Sequence, residues 1–258
     1  MYNGIETMFK PKTERIEKLA KLYPERIREL SNIFAVKTNI YLDWANMYHW
    51  SSRLRWHIQV KRLKQLFDSF TTINAVYLYN GILEGDDGSK QFMDDAKTYD
   101  YVTISKPVKI MRLSIDVSGI PPNSPTVLEN FIKKPLLRKL RIETIEYLNS
   151  KLKELYDNGT KYLEVRKCNF DVEIGRDMTL DFERNHATSF ILWSGDSDFA
   201  DPVAQLMKDK KKVFIFATSR RVSVELQETE VPIYDIQKIR NFICEPYEIQ
   251  EDVRGKLS

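Results

Sequence analysis

The stretch Phe190-Ile-Leu-Trp-Ser-Gly-Asp-Ser-Asp-Phe199 limits the fold more than any other part of the chain. Its apolar run is short, unbroken and closed by Ser-Gly. That is the pattern of a strand buried on both faces of a parallel sheet and followed by a loop. In open parallel sheets, ligands sit outside the carboxyl ends of the strands. Asp196 and Asp198 therefore stand where such a protein does chemistry.

The rest of the chain supplies the alternation that such a sheet needs. Residues 11–35 carry helical apolar spacing interrupted by Pro24, which predicts two helical pieces meeting near Tyr23. Residues 38–43 read as a short strand ending in Asp43, 54–70 as a helix and 74–80 as a second strand. Residues 81–88 read as a polar loop and 90–99 as a short helix. Residues 101–105 and 108–117 read as strands separated by Pro107. Residues 118–125 hold Pro121, Pro122 and Pro125 and are the clearest punctuation in the sequence.

Two amphipathic stretches follow, 127–140 and 143–157, with Lys133, Lys134, Arg138, Lys139 and Arg141 concentrated between them. They read as an insertion, and their basic face as a solvated surface or a phosphate track. Asn158-Gly159 is a good helix stop. Asp171 heads the next helix, where an acid is favoured. Asp201-Pro202 opens another helix, 212–217 is a strand, 223–228 a short helix and 233–235 a last strand. The polar tail beyond Pro246 is expected to be loosely held. Alternating strands and helices argue for an α/β fold with a mainly parallel sheet. Right-handed crossovers would bring Asp43, Asp196 and Asp198 to one edge of it.

Composition removes several classes of function. With 258 residues the chain can build one large domain, or one domain with an appendage. A net charge of +3 permits a nucleic-acid partner without arguing for one. Cys168 and Cys244 offer neither zinc spacing nor a disulfide framework, so a reducing, cytoplasmic setting is expected. No apolar run approaches the roughly 18 residues of a membrane span, and no membrane partner is expected. Neither G-x-G-x-x-G, the Walker A pattern nor G-x-S-x-G occurs, and His49, His57 and His186 stand in no ligand spacing.

What remains is acidic. Carboxylates gathered at one sheet edge repel, and a divalent cation resolves the repulsion. Oxygen-only ligation suits Mg²⁺ or Mn²⁺, and such ions commonly serve phosphoryl chemistry. An Asp-Ser-Asp after an apolar strand also fits a nucleotide-sugar transferase, although that class predicts neither of the other two motifs below.

Three motifs in order make the pattern specific. Tyr41-Leu-Asp43-Trp-Ala-Asn46-Met-Tyr48 resembles the first motif of the NYN domain family (LabA-like), a branch of the PIN-like nucleases. Lys167 to Asp177 resembles the second, and Ser194-Gly-Asp-Ser-Asp-Phe199 is similar to the third at every letter. Lys212-Val and Ser223-Val-Glu-Leu226 resemble the closing strand and helix.

The resemblance implies a PIN-like three-layer α/β/α sandwich, with an N-terminal helical extension at 1–36, the domain at 37–245, an inserted helical region at about 118–162 and a tail at 246–258. It implies Mg²⁺- or Mn²⁺-dependent hydrolysis of single-stranded or structured RNA. Asp43, Asp171, Asp196 and Asp198 correspond to the metal-binding acids, Asp196 the stronger ligand and Asp198 acting through water. Asn46 would support Asp43 by hydrogen bonding. Asp177 lies roughly 240° round the helix from Asp171, so it takes a supporting or substrate-side role, as do Ser194 and Trp44.

Trp44 stands where the family has a small residue, and 118–162 has no counterpart in the compact pattern. A PIN-like module that binds RNA or a protein partner without turnover is the alternative. A homo-oligomer is left open.

Overall fold

A computed structural model describes residues 8–114, 128, 132, 134–218 and 222–257. The predicted strand ending in Asp43 is β1, Thr38–Asp43, and the opening stretch is β6, Ser189–Trp193. Every residue of both is buried, as a strand covered on two faces requires. The two pair in parallel, Leu42 opposite Trp193. On one side of β1 lie β2, Ile73–Ile82, and β3, Val102–Pro107. On the other side of β6 lie β7, Lys212–Ala217, and β8, Ile233–Asp235. The result is a six-stranded parallel sheet in the order β3-β2-β1-β6-β7-β8, flanked by helices as in a PIN-like three-layer sandwich.

Two compact units divide the chain: residues 1–107 with 168–258, and residues 108–167. The sheet belongs to the first. The second holds an antiparallel pair, β4 (Lys109–Ser114) and β5 (Tyr162–Lys167), and the helix Ile142–Asp157. That helix ends where Asn158-Gly159 predicts, with Gly159 at φ 89, a conformation that costs a Cβ-bearing residue dearly. The sequence reading of 108–167 has no counterpart for β5. Of the helix expected over 127–140, the described residues show Lys134–Leu137 as helical, and Lys133 lies outside them, as does the Pro-rich punctuation at 118–125.

In the first unit, helices Glu14–Leu22 and Pro24–Ile33 meet at Tyr23 as Pro24 demands. They bury Ile16, Leu19, Ile27 and Leu30.

Two expectations are corrected. The helix over 54–70 is broken: Arg55 takes a left-handed φ of 57°, and the main helix is Val60–Phe67. The intervening backbone is held from far along the chain, with Ile58 bridged to Cys244 and the Gln59 N–H donating to the Ile243 carbonyl at 2.8 Å. The tail beyond Pro246 is docked rather than loose. Ile249 and Val253 are buried, and the Glu248 carboxylate accepts from the His57 backbone N–H at 2.6 Å.

Candidate functional site

Strand order fixes where the site lies. From β1 the chain moves outward to β2 and β3, then returns to β6 and moves the opposite way. The reversal falls between β1 and β6, and in such sheets the crevice at the carboxyl ends of the two diverging strands takes the ligand. β1 ends in Asp43, and β6 runs directly into Ser194.

Those two residues are joined. The buried Ser194 hydroxyl donates to Asp43 Oδ2 at 3.0 Å, and the Asp196 backbone N–H donates to the same hydroxyl oxygen at 3.3 Å. Asp43 also caps the helix Trp44–Tyr48, its Oδ1 accepting from the Asn46 N–H at 3.3 Å. Asn46 thus supports Asp43 through its backbone. Its side-chain oxygen is occupied by the Trp50 indole N–H at 2.9 Å.

Asp196 caps the single 3₁₀ turn Ser197–Phe199, its Oδ1 accepting from the Asp198 N–H at 3.4 Å. Phe199 is fully buried beneath that turn and opens the helix Ala200–Lys208. The Ser223 N–H donates to the Gly195 carbonyl at 2.9 Å, so the Ser223-Val-Glu-Leu226 segment braces the acidic loop. Asp171 opens the helix Asp171–Glu183, with the Asn169 amide donating to its Oδ2 at 2.6 Å.

Electrostatics ties the acids together. Asp43 is 5% exposed, and burial pushes its carboxyl from 3.8 up to about 6. The bonds from Asn46 and Ser194 oppose that rise, and the carboxylates of Asp171 and Asp196 add to it. Asp171 is raised by burial first and then by Asp196 and Asp198, against the bond from Asn169. Among the described residues no Lys, Arg or His forms an ion pair with Asp43, Asp171, Asp196 or Asp198. Also among them, no three His, Cys, Asp or Glu side chains stand close enough to hold an ion as placed.

Asp177 is set apart from these four. Its Oδ1 accepts from the Arg176 guanidinium at 2.8 and 2.9 Å, and its Oδ2 from the Tyr79 hydroxyl at 2.9 Å. The Trp44 ring lies against Phe92, with centroids 4.8 Å apart.

Comparison with known proteins follows this geometry. A family model described as "NYN domain" matches residues 137–237. It is the family the three motifs resemble, and the match spans 101 of the chain's 258 residues. The NYN match takes in Asp171, Asp177, Ser194, Asp196 and Asp198, starts inside the stretch read as an insertion, and leaves Asp43, Trp44 and Asn46 outside. No curated protein matches the chain. A solved structure of a protein of unknown function from Vibrio parahaemolyticus is similar at 16% identity and a TM-score of 0.49, covering 81% of this chain and 96% of that one.

Two features beside these acids escape sequence reasoning. Lys106, at the carboxyl end of β3, pairs with Glu173 at 2.6 Å and lies 4.6 Å from the centroid of the Phe170 ring, next to Asp171. Asp181, buried one helical turn beyond Asp177, accepts from the Asn39 amide and the Tyr41 hydroxyl, each at 2.7 Å. The only signal for either is topological: Lys106 shares the carboxyl edge with Asp43, and Asp181 shares a helix face with Asp177 at i, i+4.

Proposed function

We infer that the chain is a metal-dependent ribonuclease whose site is Asp43, Asp171, Asp196 and Asp198, with Ser194 and the Asn46 backbone holding Asp43 in place. The observation that carries this reading is the meeting of β1 and β6 at the reversal of the sheet. There a buried carboxyl without a cationic partner shares a serine hydroxyl with the next strand's acidic loop.

The donor chemistry fits a hard divalent cation. All four groups are carboxylates; burial raises Asp43 and Asp171 and the neighbouring acids add to the rise, a penalty on the charged form that a bound Mg²⁺ or Mn²⁺ would offset. When bound, such an ion supplies an acidified water and charge stabilisation for phosphodiester hydrolysis. The chain's own contribution is orientation. The Ser194 hydroxyl and the Asn46 N–H occupy one lone pair on each Asp43 oxygen, fixing the carboxylate plane, and the Asp198 N–H holds Oδ1 of Asp196. RNA, single-stranded or structured, is the partner this chemistry suits.

Cleavage of a single-stranded RNA with Mn²⁺ tests the reading. Asp196→Asn should lower the rate on the order of 10²-fold or more, with the melting curve intact. Unchanged cleavage would remove Asp196 from the site. A second reading, a module that holds RNA without cutting it, draws on the absence of any three acids within joint ligating reach among the described residues. RNA binding indifferent to EDTA, with no products, would favour it.

A further inference from the structure

A cavity of about 350 Å³ lies in the first unit and is lined by none of the four acids. It is built from three distant parts of the sequence: the junction of the N-terminal helices, the broken segment before Val60, and the chain after β8. Its lining includes Arg26, Lys238 and Arg240, together with Tyr23, Trp56 and Gln250. No carboxylate lines it among the described residues.

The positive charge is under-compensated. Among the described residues, Glu29 is the carboxylate that reaches two of these cations, at 2.9 Å from the Arg26 guanidinium and 3.7 Å from Lys238 Nζ. Arg240 has no carboxylate at all among the described residues. One of its terminal nitrogens donates to the Glu248 backbone carbonyl at 2.8 Å, and its buried Nε has no acceptor. With a carbonyl as the acceptor for one terminal nitrogen and no carboxylate beside it, the Arg240 guanidinium keeps its charge available to an anion in the cavity. Tyr23, which keeps part of its ring exposed, lines the cavity with the cations, so a flat ring can be taken beside the charge.

We propose that this cavity is a binding site for a nucleoside monophosphate, the phosphate facing Arg26, Lys238 and Arg240 and the base lying against Tyr23. The volume is in the range of about 300–1,000 Å³ typical of small-molecule sites. The site does not depend on the acidic cluster. It couples the N-terminal helices to the C-terminal segment, whose residues Asn241 and Gln250 are already tied to Tyr23 and to each other by the Asn241 amide, at 3.0 Å each.

Titration calorimetry of the full chain in EDTA is the test, with AMP, GMP, CMP and UMP as probes and the nucleosides and inorganic phosphate as separate arms. At least one nucleotide should bind saturably, and nucleoside or phosphate alone should bind at least tenfold more weakly. The double variant Arg26→Gln/Lys238→Gln should lose at least tenfold in affinity with the melting curve preserved. Should that pair fail to fold, Lys238→Gln alone, whose side chain is exposed, should still weaken binding several-fold. Asp196→Asn should bind like the parent. No saturable binding, equal affinity in the lysine variant, equal binding of inorganic phosphate, or loss of binding in Asp196→Asn would each overturn the assignment. The last of these would put the nucleotide at the acidic cluster instead.

Discussion

Asp43→Asn should stabilise the metal-free protein at neutral pH and not at acid pH. The replacement is close to isosteric. Asn is a good helix N-cap, and its side-chain oxygen can still accept from the Asn46 N–H. What it removes is a charge held at 5% exposure beside Asp171 and Asp196. The native carboxyl titrates at about 6 rather than 3.8, so it keeps its proton after the unfolded chain has lost it. Stability from this group is therefore full below about 3.8 and is lost as pH rises through about 6. The whole rise is equivalent to about 3 kcal/mol, of which about 2 kcal/mol falls between pH 4.5 and 7.5.

Urea melts in EDTA read this directly. Trp44, Trp50, Trp56 and Trp193 all lie in the unit that holds the sheet, so indole fluorescence reports that unit without interference from residues 108–167. The stability of the variant minus that of the parent should increase by about 2 kcal/mol from pH 4.5 to 7.5. In melting temperature that is about 4–8 °C. Taking the difference between two pH values cancels any packing defect of the asparagine, which is the same at both. A difference that stays flat or falls would show that Asp43 gives up its proton in the native state as readily as in the unfolded chain, and the case for an uncompensated acidic crevice would go with it.

Two further perturbations address the scaffold. Asp181→Ala leaves the buried Tyr41 hydroxyl and Asn39 amide without their acceptor, which should cost about 3 kcal/mol in the same urea assay, and a loss below about 1 kcal/mol would contradict the network. Ile249→Ala with Val253→Ala should cost about 3 kcal/mol if the C-terminal segment is part of the core, and next to nothing if it is a free tail.

The sequence reveals most where local chemistry decides the structure. Pro24 splits the N-terminal helices, Ser223 caps its helix through a bond from the Leu226 N–H at 3.2 Å, and the apolar runs at β6 and β7 are strands. It reveals least where a partner hundreds of residues away intervenes. The helical spacing over 54–70 is real on paper, yet His57, Ile58 and Gln59 bond to Ile243, Cys244, Glu245 and Glu248, and Arg55 absorbs the change of direction. The tail was read as loose for the same reason. Two apolar residues four apart, Ile249 and Val253, are too few to announce burial, and their surface is supplied by elements remote in sequence.

The candidate site shows both behaviours at once. The acidic loop after β6 is a local motif and falls within the matched NYN stretch, whereas Asp43 falls outside it. What unites them is sheet order: β1 and β6 become neighbours only because the chain, after β3, returns past its first strand. The Ser194 hydroxyl then has Asp43 within 3.0 Å, a contact between residues 151 positions apart that no local motif contains. Asp177 shows the converse. It stands inside the matched stretch and near the other acids in sequence, but Arg176 and Tyr79 claim both of its oxygens. A carboxylate already neutralised by an adjacent guanidinium has little to gain from a cation, and one left charged and buried has much to gain. Pairing state, more than position in a motif, is therefore what ranks Asp43 above Asp177 as a ligand. Replacing Arg176 with Gln should free Asp177 without altering the four acids. If Asp177→Asn then lowered metal-supported cleavage as far as Asp196→Asn does, that ranking would be reversed.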